Sequence, residues 1–295
     1  MKKFLILLHV FLLICCVEDL NSKDMPKIDL RKGLIFESDI HLQKYFDKGG
    51  RQARKILSLV EIDDIKLKAK EYIKEPVNDD EIAIFETSFG VLKFKLFPNI
   101  SPENCANFKK LANSGFYDDT LFHKLIPNYL VQGGDILTRD AEEENDGFGN
   151  PGWTIDAEFS DLLHKRGTLS MHRVKNDPNS AGRQFFITLS RQEKLDKNYT
   201  VIGEIIEGQN VLDVISNVSS QSKIAFRMLK KNIPENQDSS KWEEVILNSK
   251  KYYVNIPDDV NKEPFIKMLL ERIENRTKPS VPIIIKSLRV QKDLN

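Results

Sequence analysis

LFHKLIPNYLVQGGD, residues Leu121–Asp135, and SAGRQFFITL, residues Ser180–Leu189, are the two stretches on which the fold turns. Both read as buried strand, with runs of Phe, Ile, Val, Leu and Thr broken by glycine or polar residues where the chain must bend. Lys124 and Gln132 stand inside otherwise apolar runs of the first stretch. Gln184 does the same in the second, next to Phe185 and Phe186. An apolar floor with a few fixed polar groups is how a pocket for a small apolar group is made.

Outward from these stretches, Ile82, Ile84 and then Val91, Phe94 and Leu96 mark two short strands joined through Ser88-Phe89-Gly90, a hairpin signal. Ser101-Pro102 opens a helix, with Ser101 as N-cap and proline at the first position. Cys105, Phe108, Leu111 and Ala112 form its apolar stripe and Gly115 ends it. Cys105 therefore reads as a core residue rather than a nucleophile. Asp140–Asn150 is an acidic, glycine-containing loop. Gly167–Met171 and Thr200–Ile206 read as strands, and Val211, Leu212, Ile215 and Val218 make the stripe of a second helix.

Taken in order, FHK…LVQGGD, GTLSM, SAGRQFFIT and YTVIGEIIEG resemble the cyclophilin family of peptidyl-prolyl isomerases. The resemblance implies a mainly β fold, a closed antiparallel β-barrel capped by two helices, acting on proline-containing polypeptides without a cofactor. It also implies residue roles. Phe122, Leu130, Phe186 and Leu195 would line a proline pocket, with Tyr199 at its edge. Gln132 and Gln184 would orient the substrate backbone, and Ala181 and Gly182 would shape the loop that the flanking peptide crosses. The family's catalytic arginine falls at Lys124. Lysine keeps the charge but offers a compact, rotatable ammonium in place of a planar fork. The sequence therefore predicts an isomerase weakened by about one to two decades, or 1–3 kcal/mol of barrier. The alternative is a proline-peptide binding or chaperone-like module with little catalysis. Lys194 stands where many relatives carry a tryptophan that contacts cyclosporin, so weak binding of that drug is expected. Arg173 and Arg183 read as solvated surface charge, the alternative being that they reach into the groove and partly compensate for Lys124. His123 reads as a hydrogen-bonded core histidine, and His164 and His172 lack partners at metal-ligand spacing, so no metal is assigned.

Past the second helix, Val281–Val290, VPIIIKSLRV, resembles the family's terminal strand. The cyclophilin-like domain then spans 79–293, with 219–279 as an insertion. The insertion is predicted to be helical, from Trp242, Val245 and Ile246 and from Phe265, Met268, Leu269 and Ile273 at helical spacing. Ahead of the domain, 21–78 is an accessory segment. Its helix is predicted over Gln52–Glu75, with Ile56, Leu59, Val60, Ile65, Ala69, Tyr72 and Ile73 as the apolar face and Pro76 as the stop.

Acidic and basic residues number 44 each, so the charge balance makes no case for nucleic acid or an anionic surface as partner. Lys2 and Lys3 precede an apolar run from Phe4 to Val17, the layout of a secretory signal over 1–20. The run is shorter than the roughly 20 residues that cross a bilayer. Export is expected, to a bacterial periplasm or cell envelope, with a eukaryotic secretory pathway as the alternative. Cys15 and Cys16 close the run. Cys16 is a candidate for lipidation and membrane attachment, although Leu13-Ile14-Cys15 departs from the usual small residue, and both cysteines read equally as apolar signal residues. With Cys105 the one further cysteine, the sequence has no disulfide framework.

Overall fold

The computed structural model describes residues 55–256, 261–274 and 277–293. The signal-like run, Cys15, Cys16 and Gly49-Gly50 lie outside them. The sheet strands are β1 Glu81–Thr87, β2 Gly90–Leu96, β3 Thr120–Leu121, β4 Lys124–Ile126, β5 Leu130–Gly133, β6 Thr168–Met171, β7 Phe185–Thr188, β8 Val201–Glu207 and β12 Ile284–Lys292. They form one nine-stranded sheet in the order β3-β12-β1-β2-β8-β6-β7-β5-β4. Every pairing in it is antiparallel. Its two end strands, β3 and β4, are consecutive in the chain, and Leu121 bridges Asp135 just past β5. The sheet therefore curls back on itself as a barrel whose two ends meet at that single bridge, and β3 and β4 remain its end strands.

Alternation along the strands fills the interior. Phe85, Leu92, Phe94, Leu125, Val131, Leu169, Phe185 and Ile187 belong to one buried cluster. Phe185 sits at its centre, with edge contacts to Phe85 at 5.4 Å and Tyr117 at 5.3 Å between ring centroids. Such edge-to-face pairs add to the area they bury. Two helices, α2 (Pro102–Asn113) and α3 (Gln209–Asn217), pack on this barrel against β12 and β2 respectively. The α2 stripe of Cys105, Phe108, Leu111 and Ala112 is buried as its spacing requires, and burial pushes the Cys105 thiol up to about 11. Ser101 does not cap α2 with its side chain. Its hydroxyl donates to the Val201 carbonyl at 2.8 Å, and the Glu158 carboxylate accepts from the Glu103 and Asn104 amides instead, at 3.1 and 2.9 Å.

Two expectations need correction. The accessory helix, α1, runs Leu59–Glu71, not Gln52–Glu75, and starts at a capping box in which Ser58 and Glu61 satisfy each other's amides. Its buried residues are Ile62 and Ala69, whereas Leu59, Val60 and Ile73 are exposed. The insertion is mixed rather than helical. After α4 (Gln221–Met228), β9 (Leu229–Lys230), β10 (Trp242–Leu247) and β11 (Lys250–Asn255) form a three-stranded sheet, followed by α5 (Lys262–Glu274). Trp242, Val245 and Ile246 thus lie on a strand. Asn248 and Ser249, both with positive φ, make the two-residue turn of a β-hairpin between β10 and β11. Of the α5 stripe, Phe265, Leu269 and Ile273 are buried and Met268 is half-buried.

Candidate active site

Strands β4, β5 and β7 send one set of side chains inward and the other outward, because successive residues face opposite sides of a sheet. Leu125, Val131, Phe185 and Ile187 go to the core. The alternate set stands on the outer face, in register: Lys124 is opposite Gln132, Gln132 opposite Phe186, and Phe186 opposite Ser170 on β6. A cation, an amide and an aromatic ring therefore lie in one cross-strand row, at roughly 5 Å per strand.

Beside this row is a small apolar cluster separate from the core, made of Leu130, Phe186 and Leu195, with Tyr129 and Tyr199 packed against it. The Tyr199 ring meets Phe186 edge-on at 5.3 Å. His164 backs the cluster, stacked on Phe186 at 5.9 Å, with Nδ1 3.1 Å from the Asp196 carboxylate. Burial keeps His164 below its ordinary value against the pull of Asp196. Burial alone would raise Asp196, but bonds from Arg191 and from the His164 amide and ring hold it down at about 2.

Phe122 is not part of this cluster. It lies in the barrel core, edge-on to Phe185 at 6.1 Å. The chain leaves β3 at Leu121 and enters β4 at Lys124, so Phe122 does not share the parity of the outer face, and its amide donates to the Ile283 carbonyl. Tyr129, not Phe122, is the aromatic residue that packs against Leu130, Phe186 and Leu195 from the β4–β5 turn. Asn128, with φ of +59°, tightens the β4–β5 turn, and Tyr129 follows directly before Leu130. An aromatic residue between a turn and a pocket leucine is the signal that could have found it.

The glutamines are wired to a loop. Gln132 donates from Nε2 to Gln184 Oε1 at 2.8 Å, and Gln184 Nε2 donates to the Gly147 carbonyl at 2.7 Å. The Gly147 amide donates to the Asp135 carboxylate, which also accepts from the Leu137 amide at 2.9 Å. Asp135 is fully buried, and burial raises its pKa despite these amide bonds. The acidic loop is thus held at the root of β5 and in turn fixes Gln184. His123 Nε2 lies 3.4 Å from Gln132 Nε2. Burial, with His172 and Lys124 adding to it, drives His123 down to about 3, so this imidazole is neutral and cannot serve as an acid.

Ala181 and Gly182 are buried beneath the 151–155 stretch rather than open to the groove. Ile155 donates to the Ala181 carbonyl at 2.7 Å, and Asn107 ties the Gly182 carbonyl to the Trp153 indole, with both bonds at 2.8 Å. Arg173 and Arg183 are partly buried rather than freely solvated. The Arg173 guanidinium lies 4.8 Å from the Tyr199 ring centroid and donates to the Asn198 carbonyl at 2.8 Å. Burial lowers Arg183, with Asp135 opposing. Lys124, Arg183 and Arg173 all act on His172, which burial and these charges lower to about 4. Lys194 is exposed. Among the described residues no group of three or more His, Cys, Asp or Glu is arranged to hold a metal ion.

This geometry can grip an apolar ring, accept or donate a few backbone hydrogen bonds and place one positive charge beside them. It offers no activated nucleophile. The family model described as cyclophilin type peptidyl-prolyl cis-trans isomerase/CLD matches residues 82–234. A peptidyl-prolyl cis-trans isomerase of Synechococcus elongatus is 37% identical over 142 residues, which cover 48% of this chain and 91% of that protein. The peptidyl-prolyl cis-trans isomerase-like 3 of Gallus gallus is 37% identical over 144 residues, 46% of this chain and 83% of that protein. Among solved structures, a Cryptosporidium parvum cyclophilin type isomerase, determined in the presence of the dipeptide Ala-Pro, aligns with a TM-score of 0.48. It is 27% identical, covering 72% of this chain and 99% of that one.

Proposed function

This chain belongs to the cyclophilin-type peptidyl-prolyl cis-trans isomerases, and from that premise we propose that the Lys124–Gln132–Phe186 row is the working site of a prolyl isomerase with reduced turnover. The single observation that carries the proposal is the register, which puts the cation, the amide and the pocket ring opposite one another on adjacent strands.

Rotation about an Xaa–Pro bond is slow because the amide's partial double bond must be broken, against a barrier of about 18–20 kcal/mol. No covalent step is required. The apolar cluster of Leu130, Phe186 and Leu195, walled by Tyr129 and Tyr199, receives the proline ring and strips water from the bond. Gln132 already uses its amide nitrogen on Gln184, which leaves its carbonyl oxygen to accept a substrate amide. As the bond twists, the prolyl nitrogen regains a basic lone pair. The Lys124 ammonium can donate to that lone pair only in the twisted state, which is the condition for lowering the barrier. Its rotatable head holds the geometry less well than a planar guanidinium, so the rate is expected to fall about one to two decades short of an arginine site. Exported polypeptides are the proposed clients, supported by Lys2, Lys3 and the apolar run Phe4–Val17. Weak cyclosporin binding is part of the same reading, supported by Lys194.

The test is cis/trans exchange of a short Xaa-Pro peptide measured by NMR with the parent, Lys124→Ala and Lys124→Arg. The parent should accelerate exchange, alanine should abolish most of the effect, and arginine should exceed the parent by about tenfold. An inert parent that gains activity only with arginine would instead identify a proline-peptide binding module.

A further inference from the structure

The insertion leaves the barrel after α3 and returns through Thr277–Ser280, and its two feet are zipped together. Gln221 donates to the Lys278 carbonyl at 2.8 Å and Ser280 to the Ser219 carbonyl at 2.7 Å, with Ser220 bridging Pro279. The returning foot lies along the strand that carries Lys124. The Leu125 amide, one residue on, donates to the Thr277 carbonyl at 2.6 Å, and the Phe122 amide donates to the Ile283 carbonyl at 2.9 Å. β4 is the last strand of the sheet order, so this foot covers an edge that would otherwise be free to move.

Lys278, on that foot, reaches the acidic loop. Its ammonium is bonded to the Glu143 carboxylate and lies 3.4 Å from that of Asp146, with the Lys278 side chain only 15% exposed. The next residue, Gly147, gives its carbonyl to Gln184, and Gln184 takes its second bond from Gln132. The chain of contacts therefore runs from the insertion through Lys278, the 143–147 loop and Gln184 to the centre of the site. A second route runs through Thr277 to β4.

Resting on the isomerase reading above, we propose that Lys278 is a positioning residue for the reaction and that the inserted subdomain is a structural part of the catalytic unit. The ammonium pins the loop that fixes Gln184, and the backbone beside it pins the strand that aims Lys124. Small displacements of groups that must meet a transition state cost large factors in rate. A loose foot would therefore lower turnover more than it lowers binding of the ring.

The experiment compares the full chain with Lys278→Met, Lys278→Arg and the charge swap Lys278→Glu with Glu143→Lys. Lys267→Met serves as control, because its partner Glu271 lies on α5 itself. Peptide exchange by NMR gives kcat and KM, and the Gln132 and Gln184 side-chain amide resonances report the network directly. Lys278→Met should lower kcat about tenfold with KM within about twofold, and should shift the Gln184 amide. Lys278→Arg should stay near the parent, the swap should recover most of the loss, and the control should match the parent. Parental kcat in Lys278→Met with an unmoved Gln184 amide overturns the proposal, as does a folded swap with no recovery. If Lys278→Met fails to fold, the arginine variant and the swap decide. If the parent itself is inert, the isomerase reading fails, and the Gln184 amide response still decides the role of Lys278.

Discussion

Acidification should unfold this protein through two histidines that flank the site. His123 is held down to about 3 and His172 to about 4, both from 6.5, by burial first and then by neighbouring positive charge. His123 faces His172, Lys124 and Lys278. His172 faces Lys124, Arg183 and Arg173. The unfolded chain therefore binds more protons than the folded one below 6.5, and stability that is full above that value is lost as pH falls toward the folded values. Between about pH 7.5 and pH 5, each imidazole removes about 2 kcal/mol, and the pair about 4 kcal/mol. That is a large share of a typical domain's stability of about 5–15 kcal/mol.

Urea titrations at the two pH values measure this directly, with unchanged m-values required for the comparison. His164, also lowered by burial, adds a loss of the same sign to parent and variant alike, and two carboxylates act besides. Asp196, held at about 2, contributes stability that is lost only below 3.8, outside this window. Asp135, raised by burial, acts with the opposite sign and offsets part of the acid loss. The decisive comparison is therefore with His172→Gln, which should lose about 2 kcal/mol less than the parent between the same pH values. Equal pH dependence in parent and variant would refute the claim that His172 is held neutral, partly buried among cations. The functional corollary is that both imidazoles stay neutral as pH falls from about 7.5 to 6, so peptide exchange rates measured at the two values should match.

Gly149→Ala should destabilise the protein by about 2 kcal/mol in urea melts and disturb peptide exchange. A Cβ there would run into the Asp135 carboxylate and come 3.0 Å from Leu137 Cγ; an unaffected variant would remove Asp135 as the anchor of the loop. Cys105 should react with a thiol reagent only as the protein unfolds, since its thiol is buried and raised to about 11. Rapid labelling in native buffer, followed spectroscopically, would contradict that.

The barrel and the row of side chains on its outer face could be read from the chain because both rest on alternation, a property of residues adjacent in sequence. Leu130, Gln132, Gln184 and Phe186 share one face by parity alone, and the sheet register then brings Lys124 alongside. Parity also explains the one misassignment in the pocket. Phe122 and Lys124 would share a face only on a continuous strand, and the break at Phe122-His123 turns the ring into the core. Tyr129 was hidden because a turn, not a strand, presents it.

In the insertion, Trp242, Val245 and Ile246 fit helical spacing, yet the same residues serve a strand once Asn248-Ser249 turns the chain back. Three residues are too few to separate the two periods, and the positive φ of the turn carried the missing information. The coupling of the insertion to the site is of a different kind. It passes through the carbonyls of Thr277 and Gly147, and a carbonyl has no side-chain letter. On the insertion side of that path only Lys278 acts through its side chain, and it stands 154 positions from Lys124 in the sequence. Contacts made by backbone across such separations depend on the fold already being formed. A site of this type is therefore legible in its chemistry well before it is legible in its supports.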